Sequence, residues 1–177
     1  MSIDKPGVPG KREALSAPAE QVSPPHSPLQ FAVLDTNVVL DLWVFNDPRA
    51  QRLQQALALG RLRWVATEAM FEELADVLSR PTSARWCPDP SAVLATARAC
   101  CQVMPAAPAP PPDTTARSAP TCADPKDQFF IDFAWTLPAN WLFSRDRALL
   151  DLARPALVHG LVITTPADWA AGTTDCG

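Results

Sequence analysis

The chain predicts an α/β domain built on a mainly parallel sheet. Three observations carry that expectation. Four short apolar runs, Phe31–Leu34, Leu62–Ala66, Trp141–Phe143 and Leu161–Thr164, have the length of buried strands. Between them lie stretches with apolar residues at helical spacing, opened by capping residues and closed by Gly or Pro. The two kinds of segment alternate, the pattern of crossover units on a parallel sheet.

The elements follow in order. Residues 1–30 carry six prolines, few large apolar side chains and no periodicity. They cannot bury enough surface to offset ordering entropy and are expected to form a disordered Pro-rich tail. The domain is expected over 31–177. After the first strand, Asn46 or Asp47 can cap a helix with Pro48 at its first position, running through Leu53, Leu57 and Ala58 to Gly60. The strand Leu62–Ala66 leads to Thr67 as cap of a helix from Glu68 to about Ser79. Its apolar stripe is Met70, Phe71, Leu74, Val77 and Leu78, and Pro81 closes it. Asp89 and Pro90 open a further helix through Val93, Leu94, Ala97 and Cys101. Residues 105–120 hold six prolines and are expected to be an extended loop. A helix with Phe129, Phe130, Phe133 and Ala134 inward comes next, then the Trp141–Phe143 strand. Ser144 is the expected cap of a short helix to about Ala153, and the last strand and a turn of helix at Pro166–Trp169 complete the chain.

Bulk properties narrow the function classes. The chain has 177 residues, of which 47% are hydrophobic, enough for one domain with a core. Net charge is −4, and the tail's three acids balance its three bases, so the whole excess belongs to 31–177. No overall basic surface draws in nucleic acid. The five cysteines are odd in number and show no CxxC spacing, which argues against a disulfide framework or a zinc site and fits a reducing cytosol. Cys100 and Cys101 are expected to pack on a helix. No apolar stretch reaches membrane-spanning length and the N-terminus lacks an apolar signal core, so a cytoplasmic protein is expected.

The chemistry lies in four acids that share one local grammar. Asp35 ends the first strand, Glu73 lies in the first half of a helix, Asp127 opens a helix, and Asp146 follows the Trp141–Phe143 strand by three residues. In a parallel sheet the strand C-termini and the following helix N-termini share one edge. Three of the acids fall there, and Glu73 reaches across with its longer side chain. Hard oxygen donors of this kind select Mg²⁺ or Mn²⁺. Other chemistries find little support. The two histidines are His26 in the tail and His159 before Gly160, and no nucleophile elbow is present.

These motifs resemble those of PIN-domain ribonucleases. Asp35-Thr36-Asn37-Val38 is similar to the family's opening motif. Glu72-Glu73-Leu74-Ala75-Asp76-Val77-Leu78-Ser79-Arg80-Pro81 is similar to the second, in the VapC-like branch of toxin–antitoxin toxins. Asp124-Pro125-Lys126-Asp127-Gln128-Phe129-Phe130 resembles the third, Leu142-Phe143-Ser144-Arg145-Asp146-Arg147-Ala148-Leu149-Leu150 the fourth, and Ile163–Trp169 the closing strand and helix. The resemblance spans residues 31–170 in order. Ser144 stands where many members have Thr, Leu137–Asn140 replaces a small-residue turn, and the 105–120 loop is long.

What the resemblance implies is a PIN-like three-layer α/β/α fold. It implies a ribonuclease in which Asp35, Glu73, Asp127 and Asp146 hold one or two Mg²⁺ or Mn²⁺ ions. Asn37 and Ser144 would orient carboxylates by hydrogen bonds, and Asp124 would be an extra acid of this branch. RNA would be the substrate, an antitoxin protein the partner, and a homodimer the assembly.

Each residue also has a plainer reading. Asp35 can be a capped strand end, Glu73 competes with Glu72 and Asp76 on a solvated face, and Asp127 and Asp146 can be first-turn acids that suit the helix dipole. For Asp124, cap and metal role stay open. Asp41 is expected outside the site, Arg145 and Arg147 as a solvated basic pair, and His159 as structural. The six tryptophans are expected mostly in the core. Trp43, on an expected exposed loop, is open between stacking on a base, packing on a partner and packing in the core. Two other functions compete. A haloacid-dehalogenase-like phosphohydrolase wants a second aspartate two residues after the first, where Asn37 stands. A catalytically silent PIN-fold module would bind RNA or protein, with the 105–120 loop as a grip.

Overall fold

A computed structural model of the protein describes residues 29–87, 89–106, 119–137 and 139–172. Almost all of the expected tail 1–30, and most of the 105–120 loop, lie outside the described residues.

Five strands form one sheet, β1 (Gln30–Leu34), β2 (Leu62–Ala66), β3 (Gln102–Val103), β4 (Trp141–Phe143) and β5 (Val162–Thr164). All neighbouring pairs are parallel and the order is β3-β2-β1-β4-β5. The chain thus builds outward from β1 to β3 and then returns to lay β4 on the other side of β1. That reversal creates a topological switch point between the C-terminal ends of β1 and β4, the place where open α/β sheets accommodate ligands. Ala32, Val33 and Leu34 are all buried, so β1 is covered on both faces, as a central parallel strand must be.

Eight helices flank the sheet among the described residues: α1 (Thr36–Trp43), α2 (Gln51–Ala58), α3 (Glu68–Ser79), α4 (Pro90–Cys100), α5 (Gln128–Thr136), α6 (Arg147–Leu150), α7 (Ala153–Leu157) and α8 (Pro166–Gly172). Single 3-10 turns occupy Pro48–Ala50 and Ser83–Arg85. The result is the expected α/β/α arrangement. Phe130, Phe143, Leu142 and Ile131 are fully buried at its centre, each side chain contributing roughly 1.5–3 kcal/mol by leaving water.

Several local expectations hold. Asp47 caps the turn at Pro48 through the Arg49 N–H (2.8 Å), and α3 spans Glu68–Ser79 as its apolar stripe predicts. Gly60 takes the left-handed conformation (φ 67°) that ends α2. Others need correction. No helix was expected over 36–43, because Thr, Asn and Val are modest helix formers and Val38–Leu40 has strand character. Helix α1 forms because Asp35 caps it, accepting from the Asn37 N–H, and because Val38, Val39, Leu40 and Leu42 are buried. Trp43 is therefore not on an exposed loop; it stacks on Trp64 with ring centroids 5.1 Å apart.

Thr67 and Ser144 are not side-chain caps. Thr67 makes no capping bond, and α6 is capped by Asp146, which accepts from the Ala148 N–H. The helix expected from Ser144 to about Ala153 is two short helices, α6 and α7. Asp127 sits at the N-cap position of α5, one residue before its first turn. Of the tryptophans only Trp64 is fully buried; the others are half-buried against the core. Cys100 is exposed at the end of α4, and Cys101 is half-buried. His159, exposed, makes an edge contact with Trp135 at 4.6 Å.

Candidate active site

The switch point is built from the first residues after β1 and β4. Leu34 and Phe143 are register partners, and the Asp35 N–H donates to the Phe143 carbonyl (2.9 Å). Asp35 and Ser144 therefore emerge side by side. The Ser144 hydroxyl donates to Asp35 Oδ2 at 2.6 Å and accepts from the Asp146 N–H at 2.9 Å. One buried hydroxyl thus joins the end of β1 to the loop that carries Asp146. Asn37 adds two longer contacts, its N–H and its Nδ2 each 3.4 Å from an Asp35 oxygen.

Glu73 arrives from α3. It is half-buried, whereas Glu72 and Asp76 on the same helix are exposed. The Thr36 hydroxyl donates to Glu73 Oε2 at 3.1 Å, so α1 holds the carboxylate toward the site. Asp127 arrives from the turn before α5, where the Asp124 carbonyl accepts its N–H (3.1 Å). Its carboxylate takes no hydrogen bond from any described residue. Asp124 is exposed and spends its side chain on the Lys126 N–H (2.9 Å), a turn-forming contact.

Electrostatics show which acids share one space. Asp127 is pushed up to about 6, first by desolvation and then by repulsion from Asp35, Asp146 and Asp124. Burial raises the Asp35 carboxyl above the usual range against the pull of the Ser144 and Asn37 bonds, and Asp146 adds repulsion. Glu73 is raised by burial and by repulsion from Asp35 and Asp127, opposed by the Thr36 bond. Asp35 thus acts on both Glu73 and Asp127, Asp146 acts on both Asp35 and Asp127, and Asp124 adds to the repulsion at Asp127. Cys122, buried, lies beside the same acids: burial raises its thiol, and Asp127, Asp124 and Asp146 contribute.

Two features escape the sequence reading. Thr36 is not among the expected site residues, although a hydroxyl between Asp35 and Asn37 is a natural donor to a second carboxylate. Asp41 and Arg145 form an ion pair, Nε to Oδ2 at 2.8 Å, with the Asp41 side chain 4% exposed. Arg145 is thus not merely a solvated base. The signal was an acid inside the apolar run Val38–Leu42, which becomes telling once that run is a helix.

A site of this composition matches a known family. The PIN domain family matches residues 32–148. The chain belongs to the PIN-domain family. The matched stretch runs from β1 into α6 and contains all four acids. No curated protein and no solved structure matches this chain. PIN domains are in general nucleases that use divalent metal ions, so this PIN domain has a nuclease-type fold.

The donor set fits such an ion in chemistry and charge. All four acids offer hard carboxylate oxygens, and their repulsion is what a divalent cation relieves. Among the described residues no group of three or more His, Cys, Asp or Glu is already drawn together into a metal cage. Also among the described residues, no helix is long and apolar enough to cross a membrane.

Proposed function

We propose that this PIN domain is a metal-dependent endoribonuclease that hydrolyses phosphodiester bonds in single-stranded or structured RNA. The observation that carries the reading is the Ser144 hydroxyl that joins Asp35 to the Asp146 loop at the switch point, with Glu73 held there by Thr36 and Asp127 close enough to be repelled by Asp35 and Asp146. In this reading those four carboxylates hold one or two Mg²⁺ or Mn²⁺ ions. Such ions, when bound, polarise a phosphoryl oxygen and make water a stronger nucleophile at neutral pH.

The chain's own residues do the rest. Ser144 and Asn37 fix the orientation of Asp35, and Thr36 fixes that of Glu73. Among the described residues, no donor meets the Asp127 carboxylate or Asp146 Oδ2, which leaves them available to a cation; Asp146 Oδ1 accepts the Ala148 N–H. Asp124 shapes the turn that delivers Asp127 and adds to the repulsion on it. We further propose the cytoplasmic toxin role: a homodimer that an antitoxin protein holds inactive. What supports it is the likeness of the second and third motifs to the VapC-like branch.

The test is cleavage of labelled RNA with Mn²⁺ or Mg²⁺. Activity should vanish with EDTA and in Asp35→Ala; full activity in that variant sinks the proposal. The absence of a closed cage among the described residues favours one second reading, a silent module that binds RNA without turnover. RNA binding with no cleavage under either ion would establish it.

A further inference from the structure

Arg145 occupies a singular position. It lies between Ser144, which bonds Asp35 at 2.6 Å, and Asp146. Its side chain is 42% exposed, yet its partner Asp41 is 4% exposed, and Arg145 pairs with no other described residue. Every other ion-paired acid among the described residues is more exposed: Asp47 on Arg49, Asp76 on Arg80, Glu68 on Arg98 and Asp151 on Arg147.

The Asp41 pairing has a cost and a consequence. Burying a carboxylate is unfavourable unless a cation meets it, and an apolar residue would fill the same place on α1 with no such penalty. Stability alone does not require the pair. Its consequence concerns where the guanidinium goes. An unrestrained arginine one residue from Ser144 and Asp146 would fall onto the carboxylates of the acidic site and compete there with a metal cation. Asp41 captures Arg145 at Nε, the inner edge of the group, and holds it off. The rest of the group is left to the 42% of the side chain that is exposed. A planar fork held in that way is suited to two parallel hydrogen bonds from a phosphate.

We propose that Arg145, positioned by Asp41, binds a backbone phosphate of RNA beside the bond to be cleaved. The inference rests on the ribonuclease reading above. It puts a paired cation on the segment that carries Ser144 and Asp146, a second positive group beside the acids after Arg80, which acts on Glu73. Arg147 is a poorer candidate, since it is 90% exposed and its Nε faces Asp151, the residue that ends its helix.

The experiment measures kcat and KM for a single-stranded RNA with Mn²⁺ across a KCl series, with RNA binding read in parallel by fluorescence anisotropy. Arg145→Ala should raise KM roughly tenfold with little change in kcat, the loss of one charge-assisted contact. The slope of log binding against log salt should fall by about 0.7, one phosphate contact on a single strand. Arg145→Ala also strands Asp41, so the double variant Asp41→Leu/Arg145→Met, which removes both charges, must show the same KM and slope. Asp41→Asn should raise KM with Arg145 still present. Arg154→Ala, an exposed arginine on α7, should change neither. A double variant with wild-type KM and slope overturns the proposal. A wild-type protein that binds and cleaves no RNA overturns the ribonuclease reading itself, a distinct result.

Discussion

The two halves of the acidic site are built differently. On the β1/β4 side, Asp35 is buried and grasped by Ser144 and Asn37, and Asp146 is tied to the same serine through its backbone. On the α5 side, Asp127 follows an irregular turn, and no described residue donates to its carboxylate. The first half is set by strand register; the second has its backbone anchored and its carboxylate free. On the proposed reading, the fixed half would set where a cation sits and the freer Asp127 carboxylate would complete its set of oxygen donors. Such a division suits a site that must admit a polyanion, because a closed cage of four carboxylates would repel it.

The largest expected effect removes the rigid half's ligand. Asp35→Ala should lower RNA cleavage by roughly a thousandfold, the scale of several kcal/mol of charge stabilisation. It should also weaken α1, which Asp35 caps, by about 1 kcal/mol. Asp35→Asn keeps an acceptor for the cap and should lose activity with less loss of stability. Similar cleavage by Asp35→Asn and wild type would break the comparison at its base.

Ser144→Ala tests rigidity itself. The change leaves Asp35 in place but removes its shortest bond and the link to Asp146. Metal affinity or cleavage should fall roughly 10- to 100-fold. Ser144→Thr should retain activity, because the hydroxyl is kept. Isothermal titration with Mn²⁺ separates a lost site from a slow one. An unchanged affinity in Ser144→Ala would mean that strand register alone holds Asp35.

The same contrast decides what was legible in the sequence. The strands β1, β2 and β4 and helix α3 were readable because apolar runs and stripes bounded by Gly, Pro and acids leave few alternatives. Asp35, Asp127 and Asp146 were readable as strand-end and helix-start residues, and Glu73 as an acid beside the apolar stripe of α3. What the residues alone did not disclose was neighbourhood. That β4 returns beside β1, putting Ser144 against Asp35, depends on long-range pairing between segments more than a hundred residues apart. Ser144 looked like a cap because Ser is a common one, but the cap position of α6 lies two residues later, so Asp146 takes the capping bond while the Ser144 hydroxyl donates to Asp35 and accepts from the Asp146 N–H. Helix α1 was missed because its signal was the cap, Asp35, already assigned to another task. With it went the Asp41–Arg145 pair.

Thr36→Val probes Glu73, the acid that belongs to neither half. The Thr36–Glu73 bond crosses from α1 to α3, and valine keeps the shape without the donor. Loss of one hydrogen bond to a charged group should cost about three- to tenfold in metal affinity. Stability should change little, since Thr36 is buried and valine is apolar. An effect as large as that of Ser144→Ala would place Glu73 in the rigid half.

The smallest effect, and the one most specific to the loose half, is a pH signature in the metal-free protein. The Asp127 carboxyl is raised from 3.8 to about 6 by desolvation and by its acidic neighbours. Below pH 3.8 it is protonated whether the chain is folded or not, and its environment costs nothing. As pH rises toward 6 the unfolded chain releases the proton freely while the folded one resists, so stability contributed by this site declines, and above 6 the loss is complete. Asp127→Asn cannot ionise. Its Tm relative to wild type should therefore be near zero at pH 3.5 and positive above pH 6, on the order of 2 °C after allowance for solvent screening. Mn²⁺ at pH 7.5 should raise the Tm of the wild type and raise that of Asp127→Asn less, because a cation relieves a repulsion the variant has already lost. A Tm difference independent of pH would show that Asp127 does not share the field of Asp35 and Asp146, and the looser half would not belong to the site.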